Sequence, residues 1–110
     1  MDIQAKKQGD VMVVQVSGNM DAVSAPEFQK AFEGWLDAND KLFIVDLAPL
    51  EYITSAGLRS ILASAKKIKA MNGKIAFCGL KGMVKEVFEM SYFTTMFPIF
   101  SNADEAVKNI

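Results

Sequence analysis

The stretch from Leu42 to Leu62, LFIVDLAPLEYITSAGLRSIL, decides the fold. It begins with the apolar run Leu42–Val45, which Asp46 ends, and a short loop with Pro49 follows. A strand that is apolar on both faces is typical of the centre of a mainly parallel sheet, with helices packed on both sides. The next segment, TSAGLRSIL, predicts an amphipathic helix that begins near Ser55.

Two hydroxyl side chains stand at the start of that helix. The first N–H groups of a helix have no partner within it, and the positive end of the helix dipole lies at the same place. An alcohol there can cap the helix, or carry an anion covalently as a phosphate. Ser55 is therefore the predicted N-cap and a candidate phosphorylation site, and Thr54, in the preceding loop, is the alternative acceptor.

The residues before this stretch predict a hairpin and a helix. Alternating apolar residues near the N-terminus and over Val11–Ser17 indicate two antiparallel strands, after which Gly18 leaves the sheet. Ser24-Ala25-Pro26-Glu27 has the pattern of a capping box with Ser24 as N-cap. The helix that follows has apolar side chains at helical spacing on one face. They are Phe28, Ala31, Phe32, Trp35 and Leu36.

The residues after it predict the remaining elements. These are a helix from about Ala56 to Met71 with a C-cap signal at Asn72-Gly73, a strand over Lys74–Cys78, a helix near Gly82–Ser91, a short strand between Phe97 and Phe100, and a last helix capped by Ser101. The segment between Met90 and Phe97 is densely apolar and is interpreted as core with some exposed contact surface. The order β-β-α-β-α-β-α-β-α predicts a single α/β domain over residues 1–110, with a mostly parallel sheet and an antiparallel hairpin at its edge.

Composition limits the classes of function. The chain has 110 residues and a net charge of −1, so neither nucleic acid nor an anionic membrane is an expected partner. No apolar run is long enough to span a membrane and no signal peptide is evident at the N-terminus, so we expect a cytoplasmic protein. Because the chain has no histidine, imidazole-based catalysis and imidazole metal ligands are excluded, and we expect no cofactor. The lone Cys78 lies in an apolar strand and is interpreted as a buried, inert thiol.

Two motifs carry a resemblance to a known family. GNMDAVSAPEF (Gly18–Phe28) is similar to a Gly-x-Leu-Asp segment that runs into a Ser/Thr-Ala-Pro helix start. VDLAPLEYITSAGLRSIL (Val45–Leu62) is similar to an Asp-Leu-Ser…Ile-Asp/Ser-Ser-Ser/Ala-Gly-Leu motif. In this order and with these elements around them, they resemble the STAS domain family, in particular the bacterial anti-sigma factor antagonists, over essentially the whole chain.

The resemblance implies a phosphorylation-switched regulator and not an enzyme. In that family the unphosphorylated antagonist binds an anti-sigma factor, which is also a serine protein kinase, and so releases a sigma factor. Phosphorylation breaks the complex, and a PP2C-type phosphatase restores it. Aligned through Gly57 and Leu58, the acceptor serine corresponds to Ser55 and the aspartate of the first motif to Asp21. Many relatives have an aspartate before the acceptor, and this chain has Thr54 there.

The predicted partner-binding residues are Asp21, Asp46, Thr54, Ser55, Ala56 and Gly57. Both aspartates follow strands, so we expect them to meet near Ser55 at the carboxyl end of the sheet. They would contact the partner or hold magnesium on the kinase's nucleotide, although turn hydrogen bonds also explain them. Gly57 either leaves room for a partner or packs the helix closely against the sheet.

Three other classes of protein fit the sequence less well. The alternative function is a STAS module that binds a nucleotide or small anion as a sensor, which no Gly-x-x-x-x-Gly-Lys-Ser/Thr loop supports. A small enzyme using Asp21, Asp46 and Ser55 is disfavoured because no histidine and no metal-ligand set accompany them. A receiver domain is disfavoured because the chain opens with a hairpin and no acidic pair follows the early strands.

Overall fold

The computed structural model describes residues 1–110 as six strands and five helices. In chain order they are β1 (Asp2–Gln8), β2 (Val11–Met20), α1 (Ala25–Asp37), β3 (Leu42–Asp46), β4 (Leu50–Ile53), α2 (Ser55–Ala70), β5 (Lys74–Cys78), α3 (Gly82–Met90), α4 (Phe93–Met96), β6 (Ile99–Phe100) and α5 (Ala103–Asn109). The predicted α/β architecture is confirmed. The short elements β4 and α4 were not predicted.

The sheet has the strand order β1-β2-β3-β5-β6, with β4 paired to the far end of β2. The hairpin of β1 and β2 is antiparallel, and every other pairing is parallel. Strand β3 lies at the centre, as its composition predicted. Phe43 and Val45 face the large core on one side of the sheet, whereas Ile44 faces a smaller cluster beneath Ala106 of α5 on the other. Both faces of β3 are therefore covered.

Strand β2 is longer than predicted. The chain does not leave the sheet at Gly18 but passes through a register shift between Gly18 and Asn19, where Gly18 has φ +84°, and then pairs with β4. Strand β4 escaped prediction because it has only four residues, of which Glu51 and Tyr52 are exposed, and because Pro49 precedes it as a loop signal. The consequence is that the start of α2 lies beside Met20, at the far end of β2.

Two helix ends illustrate how local chemistry sets the boundaries. The predicted C-cap of α2 is confirmed, since Asn72 has φ +62° and the N–H of Gly73 donates to the carbonyl of Ile68 over 2.8 Å. The predicted cap of α5 is wrong, because Asn102 and not Ser101 is the N-cap. Its side-chain oxygen accepts a hydrogen bond from the N–H of Glu105 over 2.9 Å.

The remaining predictions concern burial. Cys78 is fully buried, and this burial, together with the nearby Asp46 charge, raises the pKa of its thiol to about 12, so the inert interpretation is confirmed. In the apolar segment near α4, Phe93 is buried, whereas Met90 and Tyr92 are exposed. No helix is both long enough and apolar enough to cross a bilayer.

Candidate functional site

The N-cap of α2 is Thr54, so the prediction that Ser55 caps the helix is wrong. Thr54 has an extended backbone (φ −102°, ψ 174°), and its Oγ1 accepts from the N–H of Gly57 over 3.4 Å. The N–H of Thr54 also donates to the carbonyl of Met20 over 3.0 Å, so its backbone is still held against β2. The helix can therefore begin only at the next residue, and Ser55 is the first residue in it.

The hydroxyl of Ser55 is exposed and takes no part in the hydrogen bonds of the chain. Because Thr54 supplies the cap, the structure does not use the oxygen of Ser55. The first bond along the helix runs from the N–H of Leu58 to the carbonyl of Thr54, so the N–H groups of Ser55 and Ala56 lie before the helical ladder begins. An anion on Ser55 would meet these donors and the positive end of the helix dipole.

Asp21 organises the turn that leads into α1. Its Oδ1 accepts hydrogen bonds from the N–H groups of Val23 (3.1 Å) and Ser24 (3.0 Å), the local pattern that aspartate favours in turns. The Ser24 hydroxyl points back as well, since it accepts from the N–H of Asp21 and lies 3.0 Å from the carbonyl of Asn19. Ser24 is therefore at the predicted N-cap position, but the side-chain bonds of the predicted capping box are absent. Ser24 has helical backbone angles and makes no side-chain cap bond with α1.

These hydrogen bonds also set the charge of Asp21. The N–H and hydroxyl of Ser24, with a smaller contribution from the N–H of Val23, stabilise the carboxylate and lower the pKa of Asp21 below its ordinary value. Asp21 is therefore ionised at neutral pH. Its side chain is only partly buried, so the negative charge is presented to solvent.

The Asp21 turn runs along the first two turns of α2. At one end of the turn, the carbonyl of Met20 accepts from the N–H of Thr54. At the other end, the carbonyl of Ala25 accepts a 2.8 Å hydrogen bond from the hydroxyl of Ser60. The intervening residues are thus held beside the start of α2. The structure brings Asp21, Thr54, Ser55 and Ala56 together on one surface, which we call the switch surface.

Two exposed residues next to the switch surface were not among the predicted site residues. Val23, in the middle of the Asp21 turn, is 90% exposed, which is unusual for an apolar side chain in an ordered turn. Arg59 is the only arginine in the chain, is exposed, and lies one helical turn after Ser55. The i, i+4 spacing of Ser55 and Arg59 could have been found in the sequence. The exposure of Val23 could not, because it depends on the conformation of the turn.

Gly57 faces the interior of the protein. A Cβ there would lie 2.7 Å from the carbonyl oxygen of Met20 and 2.8 Å from Cγ1 of Ile53. The missing side chain is therefore required for the close approach of α2 to β2, which is the packing role that the sequence left open. Contact of Gly57 with a partner stays a prediction.

Asp46 lies away from the switch surface, so the prediction that both aspartates meet near Ser55 is wrong. Asp46 is opposite Gln15 in β2, and its Oδ1 accepts from the N–H of Ala48 over 3.0 Å. Asp21 follows six positions after Gln15, a separation of about 20 Å along an extended strand. The prediction failed because β2 continues past the end of β3. A partner contact by Asp46 stays a prediction.

The groups around Ser55 determine what its hydroxyl can do chemically. A serine nucleophile needs an adjacent base, and no hydrogen bond joins Ser55 to a titratable group. What the chain itself supplies is an accessible hydroxyl, a helix N-terminus, a neighbouring carboxylate and an exposed apolar side chain.

Comparison with known proteins identifies the family. The model of the STAS domain matches residues 2–106, so the chain belongs to the STAS domain family. It is 30% identical over 106 residues to BtrV of Bordetella bronchiseptica, a protein named as an anti-sigma factor antagonist, and the match covers 96% of this chain and 91% of BtrV.

Two solved structures share the fold. The crystal structure of TM1081 of Thermotoga maritima, also named as an anti-sigma factor antagonist, has a TM-score of 0.92 and 21% identity, with 98% of this chain and 93% of that chain covered. The Bacillus protein SpoIIAA, solved in its phosphorylated form, has a TM-score of 0.77 and 15% identity, with 97% of each chain covered.

Proposed function

We propose that this protein is an anti-sigma factor antagonist. In its unmodified form it binds an anti-sigma factor of the serine protein kinase type and so releases a sigma factor. The kinase then phosphorylates Ser55, which ends the binding, and a PP2C-type phosphatase reverses the modification. The protein acts as a regulator and as a substrate of both enzymes. The observation that carries the proposal is the exposed, unbonded hydroxyl of Ser55 at the first position of α2.

The relatives support the same function. BtrV matches nearly the whole chain and is named for this role. SpoIIAA, which shares the fold, has been solved in a phosphorylated form, so a domain of this shape can carry a phosphate and remain folded. The family membership and the unbonded hydroxyl of Ser55 both support a switch by phosphorylation.

A phosphate at Ser55 would alter the switch surface without unfolding the helix. It adds about 1.5 to 2 negative charges, which the first N–H groups and the dipole of α2 can accommodate. Arg59, one turn further along, can pair with it. On the side that faces solvent, the charge of the phosphate adds to that of Asp21, so the switch surface becomes strongly negative. A partner that had docked there would then lose affinity through charge, bulk and desolvation.

The partner contact is centred on the Asp21 turn and the first turn of α2. The exposed side chain of Val23 offers an apolar contact within an otherwise polar surface. Asp21 offers a fixed charge directly after Met20, whose carbonyl accepts from the N–H of Thr54, and in the proposed complex this charge helps to hold the magnesium of the kinase's nucleotide. Asn in place of Asp21 retains an oxygen for the turn but removes the charge, so Asp21→Asn separates these roles from folding.

The proposal is tested by binding to the partner. A tagged Ser55→Ala chain, which cannot be phosphorylated, is used to recover the anti-sigma factor from the native cell. The affinity of the anti-sigma factor is then measured for the wild type, for Ser55→Ala and Ser55→Glu, and for Ser101→Glu, which makes the same charge change at an exposed serine just before α5. We expect the wild type, Ser55→Ala and Ser101→Glu to bind alike and Ser55→Glu to bind at least about tenfold more weakly, a loss of about 1.4 kcal/mol. Equal affinity of Ser55→Glu and the wild type would contradict the proposal.

A further inference from the structure

A groove lies at the opposite end of α2 from Ser55. One wall is the C-terminal half of α2, and the other is the segment Met96–Phe100 together with the end of α5. The cavity has a volume of about 650 Å³, which is within the range of sites that bind small molecules. Eight of its 14 lining residues are hydrophobic. None of the switch-surface residues lines it.

The groove exists because the sheet ends early on this side. Strand β6 has two residues, and the N–H of Phe77 donates to the carbonyl of Pro98 over 3.0 Å. Pro98 has no N–H, so the pairing between β5 and β6 cannot continue past it towards Ile75. Ile75 is therefore paired with β3 on one side and has no strand on the other, and with Ile68 of α2 it lines the apolar part of the groove.

The charged side chains that line the groove are all positive. Lys66, Lys69 and Lys74 are exposed and line it, and no aspartate or glutamate does. The two ion pairs of the chain, Lys7 with Asp40 and Lys67 with Glu33, involve none of these three lysines. An apolar concavity edged by three uncompensated cations matches a ligand that is apolar along its length and anionic at one end.

We propose that this groove binds a single medium-chain fatty acid as its carboxylate. The acyl chain would lie against Ile68, Ile75 and Phe97, with the carboxylate among the lysines of α2 and β5. The helical wall from Leu62 to Lys69 is about 10 Å long, which suits a chain of medium length. Met96, which is 53% exposed on the opposite wall, supplies a flexible apolar side chain that can adapt to the ligand.

The observations favour a free fatty acid over a membrane surface. Apart from Met96, the hydrophobic lining residues are buried or half-buried between the two walls of the cavity, an arrangement that suits one acyl chain better than insertion into a bilayer. This site is separate from the proposed function, since it uses neither Ser55 nor the Asp21 turn. Failure of one proposal therefore leaves the other standing.

The test is calorimetric titration of the full chain with dodecanoate below its micelle-forming concentration. We expect saturable binding that weakens at least tenfold in the double variant Lys66→Glu/Lys69→Glu. The matched control, Lys6→Glu/Lys30→Glu, makes the same change in net charge at exposed positions outside the groove and should bind dodecanoate as the wild type does. Circular dichroism of both double variants verifies that they are folded.

Two further probes make the outcome decisive. Dodecyltrimethylammonium has a similar chain but the opposite charge and should bind at least tenfold more weakly than dodecanoate. NMR titration with dodecanoate should shift the signals of Ile75 and Phe97 and leave that of Ser55 unchanged. The proposal would be overturned by equal weakening in both double variants, by equal binding of the two amphiphiles, or by binding only to vesicles of anionic phospholipid.

Discussion

The starts of α1 and α2 use the same kinds of side chain in opposite ways. At α1, the hydroxyl of Ser24 is held by hydrogen bonds within the Asp21 turn. At α2, Thr54 takes the corresponding structural role, and the hydroxyl of Ser55 is exposed and unbonded. A serine at a helix start is available for modification only where a neighbouring residue does its structural work. That difference distinguishes Ser55, the proposed acceptor, from Ser24.

The two helices also differ in how their glycines are placed, and here we expect the largest effect on stability. Gly57→Ala forces a Cβ to within 2.7 Å of the backbone oxygen of Met20, so the free energy of unfolding should fall by about 2 kcal/mol. Gly34→Ala, in α1, meets no atom within 4 Å and should raise it by about 0.5 to 1 kcal/mol. Urea denaturation of both variants measures the two changes.

Opposite signs for the same substitution would support the close contact between α2 and β2. If Gly57→Ala were as stable as Gly34→Ala, the helix would not be seated against Met20 as described. The geometry of the switch surface would then need revision.

A smaller effect is expected from the turn that precedes α1. Asp21→Ala removes the acceptor of two backbone N–H groups, so it should destabilise the protein, but less than Gly57→Ala does. Asp21→Asn should retain most of the stability because the amide oxygen can accept the same bonds. Thermal unfolding of the two variants beside the wild type measures this difference.

The contribution of Asp21 to the free energy of unfolding should change with pH in a definite direction. The folded-state pKa of Asp21 lies below its ordinary value of about 3.9. The stabilisation by the ionised Asp21 is therefore fully present at pH values above the ordinary pKa. It is lost as the pH falls through the lower pKa of the folded state. The stability gap between the wild type and Asp21→Ala should be constant near neutral pH and narrow below about pH 4. A gap that widened on acidification would contradict this assignment.

The smallest effects concern the two hydroxyls at the start of α2. Thr54→Ala removes the cap and should cost about 0.5 to 1 kcal/mol, since the bond from Thr54 to Gly57 is long at 3.4 Å. Ser55→Ala removes an unbonded side chain and should change the free energy of unfolding by less than about 0.5 kcal/mol. Urea denaturation of Thr54→Ala and Ser55→Ala measures the two changes. A larger loss of stability in Ser55→Ala than in Thr54→Ala would mean that Ser55 is the cap.

Most of the fold could be predicted because strong periodic patterns determine it. The run Leu42–Val45 and the apolar stripes of α1 and α2 gave the central strand and its helices. Strand β4 was beyond prediction because its four residues form a strand only by pairing with the extension of β2. That extension depends on Gly18, which has a positive φ. A glycine at such a position in a sequence usually indicates a turn.

The helix start after β4 was predicted from the sequence, but the arrangement of the residues around it was not. The motif placed a hydroxyl at the start of α2, yet which residue caps the helix depended on the bond between Thr54 and Met20, a contact between distant parts of the chain. Asp46 was misplaced for a similar reason, since its distance from Asp21 follows from the register of β2. Helix starts and strand patterns can be predicted from the sequence, whereas the register between distant strands cannot.

The central claim is that Ser55 alone accepts a phosphate. It is tested by incubating the chain with ATP and the kinase recovered on the Ser55→Ala bait, and then measuring intact mass. The wild type, Thr54→Ala and Ser24→Ala should each gain one phosphate, and Ser55→Ala should gain none. Phosphorylation of Ser55→Ala to the same extent as the wild type would contradict the account.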